Sequence, residues 1–196
     1  MKRDADYYSK LAKSKGYPAR SIFKLKEIQE KYLIVRQNDR VLEIGSSPGS
    51  WSLYLLKELK LRGSILAVDI IRDKSLPIGF KNYTFVQADI MDDSFFDLLS
   101  KKGRFDVILS DAAPSTSGNR FVDSYKSYEL SERVMEIALN SLKIGGNLVI
   151  KILQGEKTSE FRDELKKYFA FSKLFKPLAS RSESSEIFLI AMNFKG

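Results

Sequence analysis

Leu148-Val149-Ile150-Lys151-Ile152-Leu153 reads as a strand buried on both faces, apolar at every position but one. An ammonium in such surroundings is expensive unless it is paired or put to use. A second run, Val107-Ile108-Leu109-Ser110-Asp111-Ala112-Ala113-Pro114, is as apolar and closes on a carboxylate. Strands of this kind belong at the centre of a parallel sheet covered by helices on both sides. A lysine and an aspartate at their ends are the first candidate chemical groups.

Outward from these two strands, strand and helix alternate. Strands are expected near 40–45, 64–69, 83–87, 105–111, 145–153, 170–175 and 186–193. Helices are expected near 50–60, 93–101, 124–142 and 158–168, with two more at about 5–14 and 19–32. In the segment 124–142, Leu130, Val134, Ile137, Ala138 and Leu142 share one helical face, and Lys143-Ile144-Gly145-Gly146 follows as a stop signal. The pattern predicts an α/β fold with a doubly wound sheet, and segments 170–175 and 186–193 are placed to pair antiparallel. Ligands in such sheets bind beyond the carboxyl ends of the strands, where strand order reverses. No repeat or low-complexity linker divides the chain, so residues 1–196 are read as one domain, with 1–35 a basic helical extension.

Composition narrows the chemistry. The chain has 196 residues, 43% apolar and 30% charged, which suits a globular fold with a sizeable core. It holds no Cys and no His. Disulfides, thiolate nucleophiles and the commonest metal ligands are therefore excluded, and no metal is expected. Any proton abstraction falls to a carboxylate, a lysine, a tyrosine or water. No apolar run approaches the roughly 20 residues of a membrane helix, and the first residues lack a signal-peptide core. A cytoplasmic protein is expected. Net charge is +8, and residues 1–40 hold 11 Lys and Arg against 5 Asp and Glu. A basic lobe interleaved with Tyr7, Tyr8, Tyr17, Phe23 and Tyr32 points to a polyanion, with RNA favoured because aromatic faces stack on bases.

Arg40-Val41-Leu42-Glu43-Ile44-Gly45 is a strand that breaks at glycine, followed by Ser46-Ser47-Pro48-Gly49-Ser50-Trp51 and an apolar helix. Gly45 and Gly49 permit a tight turn and close ligand approach. The spacing is neither G-x-G-x-x-G nor a P-loop, so a dinucleotide or nucleoside triphosphate is disfavoured. Asp69 ends the second strand, where a carboxylate accepts from both ribose hydroxyls. Asp89 ends the third, within reach of an adenine amino group. Each acid also suits a plain capping role; together with the glycine loop they fit a nucleoside site. Trp51 reads equally as a core aromatic or as a wall of that site.

In this order and spacing the motifs resemble the FtsJ/RrmJ family of S-adenosylmethionine-dependent RNA ribose 2′-O-methyltransferases. The carriers are Ala19-Arg20-Ser21-Ile22-Phe23-Lys24-Leu25, Glu43 to Trp51, Ser110-Asp111-Ala112-Ala113-Pro114, Ser117-Gly118-Asn119, Val149-Ile150-Lys151, Gln154-Gly155, Lys176-Pro177, Ser180-Arg181 and Ser185-Glu186. The resemblance implies a Rossmann-like class I fold of seven strands with the last antiparallel. It implies a catalytic set of Lys24, Asp111, Lys151 and Glu186. It also implies a donor site of Gly45, Ser47, Pro48, Gly49, Trp51, Asp69, Asp89 and Asp111, with S-adenosylhomocysteine as the product. Pro18-Ala19-Arg20 stands where relatives often read Arg-Ser-Arg, one basic side chain fewer.

On this reading Lys151 is the base, acting as the neutral amine, or else a charged group that orients the hydroxyl. Asp111 holds Lys151 and the donor, Lys24 positions the target ribose or a phosphate, and Glu186 orients. Lys10, Lys13, Arg20 and Arg181 are candidate RNA contacts. The expected substrate is a uridine in large-subunit ribosomal RNA, and the expected state is a monomer. The alternatives are a tRNA anticodon-loop methyltransferase, a silent RNA-binding ribosome-assembly factor and, least favoured, a nucleotide-dependent oxidoreductase.

Overall fold

β1 (Arg40–Ile44) lies between β2 (Ser64–Asp69) and β4 (Phe105–Ser110), parallel to both. β3 (Tyr83–Gln87) extends the sheet beyond β2, and β5 (Leu142–Leu153) extends it beyond β4, again in parallel. β7 (Glu186–Phe194) inserts antiparallel between β5 and β6 (Phe169–Phe175). The order is β3-β2-β1-β4-β5-β7-β6. The path therefore leaves β1 on one side and returns on the other, and the reversal falls between β1 and β4. This computed structural model describes residues 2–115, 117–181 and 183–196, with side chains from Tyr7 onward.

Alternation along the strands builds two cores. Leu148, Ile150 and Ile152 of β5, with Ile187, Leu189 and Ala191 of β7, face α4 (Ser94–Ser100), α5 (Arg120–Ser141) and α6 (Thr158–Tyr168). Val149 of β5, with Phe188 and Ile190 of β7, faces α2 (Ile22–Tyr32) and α3 (Ser50–Lys57), joined by Ala12 of α1 (Lys2–Ser14). Helices thus cover both faces, as the buried character of the central strands requires.

Among the boundaries that differ from the expected ones, three have a clear local cause. α5 begins at Arg120 because Asn119 caps it, its side chain accepting from the amides of Phe121 and Val122. Phe121 and Val122 are exposed, so no apolar period marks this turn. β5 begins at Leu142, inside the stretch expected to end the helix. Leu142 opposes Phe105, yet Asn147 opposes Val107, and the excess chain bulges out around Gly145, whose φ is 81°. α2 begins at Ile22 because the backbone before it is engaged elsewhere. Ser50 Oγ accepts from the Ala19 amide (2.8 Å) and donates to the Ala19 carbonyl (3.1 Å).

Trp51 completes that clamp. Its indole N–H donates to the Ser21 carbonyl at 2.8 Å, and its ring packs 6.0 Å from that of Phe188. The first turn of α3 thereby fixes where α2 starts. Replacing Trp51 by Phe removes the indole donor from the Ser21 carbonyl, which keeps the Lys24 amide at 3.0 Å. The expected cost of the lost hydrogen bond is about 0.5–1.5 kcal/mol, read as a lower denaturant midpoint by circular dichroism, since the variant loses the only tryptophan.

Candidate active site

Asp111, Lys151 and Glu186 reach one place by strand periodicity. Asp111 stands two residues beyond Leu109, Lys151 two beyond Val149, and Glu186 two before Phe188, all partners on the face that α2 covers. Lys151 opposes Phe188 while Leu153 opposes Glu186, so Lys151 and Glu186 are diagonal neighbours across the β5–β7 pair. Lys24 descends from α2. Its Nζ lies 2.6 Å from Glu186 Oε1 and 2.8 Å from Oε2, and 5.8 Å from the Phe188 ring centre. Lys151 Nζ lies 3.0 Å from Asp111 Oδ1, off the line of a hydrogen bond. Its hydrogen bond goes instead to the Asp111 main-chain carbonyl. Asp111 Oδ1 is thus buried beside an ammonium without accepting a hydrogen bond.

The four side chains are between 8% and 16% exposed. Two cations against two anions keep the cluster electrically balanced, which offsets part of the desolvation cost of each. Burial alone would raise the Glu186 carboxyl. The Lys24 ammonium beside it, then Lys151 and the Ser180 hydroxyl, reverse this and hold it below its ordinary range. Arg20 and Arg181 flank the same acid. Burial, followed by the like charge of Arg181, pushes the Arg20 guanidinium below its ordinary value, and Glu186 opposes. Lys10 and Lys13 stand exposed on α1.

A cavity of about 540 Å³ opens at the carboxyl ends of β1, β2, β3 and β4, within the usual size for a small-molecule site. Ile44, Val68, Ile90 and Leu130 form apolar walls. Asp69 lines it with both oxygens positioned by backbone, Oδ2 accepting from the Ser47 amide and Oδ1 from the Ile71 amide, each at 2.9 Å. Asp89 lines it too, with Oδ1 accepting from the Met91 amide. A carboxylate oxygen so held keeps a further lone pair for a ligand hydroxyl or amine. The cap and the ligand readings of these acids are compatible.

Gly45, Ser47 and Asp111 also border the cavity. Gly45 has φ 74°, and a Cβ there would stand 2.5 Å from the Ala112 backbone. The backbone that demands a glycine is the protein's own loop after β4, drawn in by the Asp111 amide donating to the Ile44 carbonyl. Pro48, Gly49 and Trp51 are not cavity walls. Gly49 (φ 100°) turns the chain into α3 against Leu76 and Pro77, and Trp51 is a core aromatic, 2% exposed. Asp111 therefore joins the two halves of the site, a wall of the cavity and a partner of Lys151. Among the described residues, no group of three or more acidic side chains is arranged to hold a metal ion.

One member escaped the sequence reading. Glu43, in the middle of β1, is 2% exposed, and the Ser52 hydroxyl donates to its Oε2. Burial pushes its carboxyl up to about 8, with Ser52 opposing and the charges of Asp111 and Asp69 adding to the rise. It is a neutral acid at pH 7, behind the acids that line the cavity. The signal was the one that exposed Lys151, an ionisable residue in an apolar strand.

A parallel sheet with an antiparallel β7, a cavity at the switch point and a lysine–acid cluster beside it define a Rossmann-like methyltransferase. The chain belongs to the FtsJ-like methyltransferase family, whose profile matches residues 17–194. It is 39% identical to the ribosomal RNA large subunit methyltransferase E of Brachyspira hyodysenteriae, over 100% of this chain and 98% of that protein. It is 40% identical to the enzyme of the same name from Oleidesulfovibrio alaskensis, over 100% and 95%. A Plasmodium falciparum structure described as a ribosomal RNA methyltransferase superposes with a TM-score of 0.81 at 30% identity, covering 92% of this chain and 100% of that one.

Glu43 has a pH signature. In the unfolded chain it ionises near 4.5, in the folded protein near 8. Its contribution to stability is full below the first value and falls as pH rises through the second, by on the order of 5 kcal/mol. Glu43→Gln has no proton to lose. Between pH 4.5 and 8.5 its unfolding free energy is expected to rise by several kcal/mol relative to wild type, measured by denaturant titration at each pH.

Proposed function

We propose that this chain methylates the ribose 2′-hydroxyl of a uridine in large-subunit ribosomal RNA, with S-adenosylmethionine as donor and S-adenosylhomocysteine as product. One observation carries the reaction: Lys24, Asp111, Lys151 and Glu186 meet beside the cavity, and Asp111 lines it. The names of the relatives support the ribosomal substrate over tRNA. The intact four-residue set speaks against a silent assembly factor.

The donor supplies a methyl group already activated by its sulfonium. What remains for the protein is alignment and removal of one proton. Asp69 accepts from the donor's ribose hydroxyls, Asp89 from its adenine amino group, and Ile44, Val68, Ile90 and Leu130 exclude water around it. Lys151, once it has given up its own proton to solvent, accepts the target hydroxyl's proton as the neutral amine while the oxygen–carbon bond forms and the donor's carbon–sulfur bond breaks. Asp111 holds Lys151 on one side and faces the donor on the other. Lys24, fixed by Glu186, places the target ribose, while Arg20 and Arg181 contact neighbouring phosphates with help from Lys10 and Lys13. RNA is the partner, and the protein acts as a cytoplasmic monomer. No helix among the described residues is long and apolar enough to cross a membrane.

The test is methyl incorporation from labelled donor into large subunits, free ribosomal RNA and tRNA. Lys151→Ala is expected to lower kcat by about 10²–10⁴ and leave the donor KM unchanged. Lys151→Arg keeps the charge and the hydrogen-bond donors but cannot accept a proton, so it stays equally slow. A near-wild-type rate in the Arg variant would limit Lys151 to orientation. Incorporation into tRNA alone would overturn the substrate, and an inactive wild type would overturn the enzyme.

A further inference from the structure

α5 separates two clefts. Lys126, Glu129 and Leu130 face the donor cavity, while Phe121, Tyr125 and Tyr128 face a second cleft of about 350 Å³. Its far wall is Gln154, Gly155 and Lys157, in the segment that follows Lys151 at the end of β5. Phe121 is 70% exposed and Tyr125 48% exposed. Lys157 Nζ lies 4.5 Å from the Tyr128 ring centre and 5.4 Å from that of Tyr125, and Arg120 and Glu156 share the lining, while Glu132, Glu160 and Glu164 border Tyr128 from the neighbouring cleft.

Aromatic side chains so exposed contribute little to the core, yet the backbone turn that carries them is fixed. Asn119 caps their helix turn. Asp123 accepts from the Ser117 amide, the Ser117 hydroxyl and the Gly118 amide. A Cβ on Gly155 would stand 3.0 Å from Ser124, so the far wall closes tightly on α5. Gln154 and Gly155 line this cleft, and Ser117-Gly118-Asn119 hold the first turn of α5 that forms its near wall.

We infer that the cleft is a stacking subsite for an unpaired base of the RNA next to the methylated nucleotide. The inference rests on the proposed RNA substrate. Exposed aromatic faces bordered by Arg and Lys are the chemistry that binds single-stranded RNA without reading its sequence. Arg20 and Arg181 flank the cluster from the α2 face, and this cleft lies against α5 on the other face. A strand spanning both crosses the carboxyl edge of the sheet over Lys151.

The test compares the full-length wild type with the double variant Phe121→Leu, Tyr125→Leu, which keeps apolar area and loses both rings. A short single-stranded RNA containing 2-aminopurine reports stacking by fluorescence quenching, independently of turnover. Steady-state methylation of large subunits reports the KM for RNA and for donor, and thermal melting checks the fold. Quenching by wild type alone is expected, with the RNA KM raised roughly 5- to 150-fold, the equivalent of about 1–3 kcal/mol per stacked base. The donor KM stays the same. Equal quenching and equal RNA KM would overturn the inference and leave the methylation reading standing. A wild type that quenches the probe but methylates no RNA would overturn that reading instead. A variant that binds RNA normally but no longer retains a ribosomal protein would assign the cleft to protein docking and overturn the RNA subsite.

Discussion

Neighbouring residues of a strand must face opposite ways, and this constraint places charge where the sheet otherwise buries hydrocarbon. Val149 and Lys151 share a face with Phe188 and Glu186 because each pair is two residues apart. The same count carries Asp111 past Leu109. Lys151 and Glu186 sit in the sheet and Asp111 follows directly on the end of β4, tied to β1 by its amide, so the sheet sets the spacing of three of the four charged groups. The fourth, Lys24, arrives on a helix that the same face buries. Balance between two ammonium groups and two carboxylates then makes the arrangement tolerable in a region that excludes most water.

The turn between β1 and α3 serves both halves of the site. Gly45 and Ser47 border the cavity, whereas Ser50 and Trp51, only a few residues later, grip the backbone in front of α2. A shift of this turn would move the cavity wall and the helix that carries Lys24 together. Asp111 couples the halves from the other direction, its amide on β1 and its carboxylate beside Lys151. Behind them Glu43, kept neutral by burial, avoids adding a third negative charge between Asp69 and Asp111.

Much of this was legible in the residues. The apolar runs of β4 and β5 announced central strands, and their two interruptions, Asp111 and Lys151, proved to be partners. What escaped had physical reasons. The first turn of α5 displays Phe121 and Val122 to solvent, so hydrophobic period was silent there; Asn119 and Asp123 were the better signal. The bulge before Asn147 depends on how β5 must catch up with β4, a matter of pairing between distant segments. Trp51 had two readings at equal standing, and its burial against Phe188, away from the cavity, separates them. Glu43 was passed over because its strand was read for the glycine at its end.

β7 is the last of the seven strands in sequence, yet it sits inside the sheet, between β5 and β6. Lys24 and its counter-ion are separated by 162 positions along the chain. During synthesis, the chain up to residue 185 emerges with β5 as an open edge and an amine on α2 lacking its acid, and such non-local pairing closes slowly. Three of the four charged groups are thus made before the strand that completes their cluster.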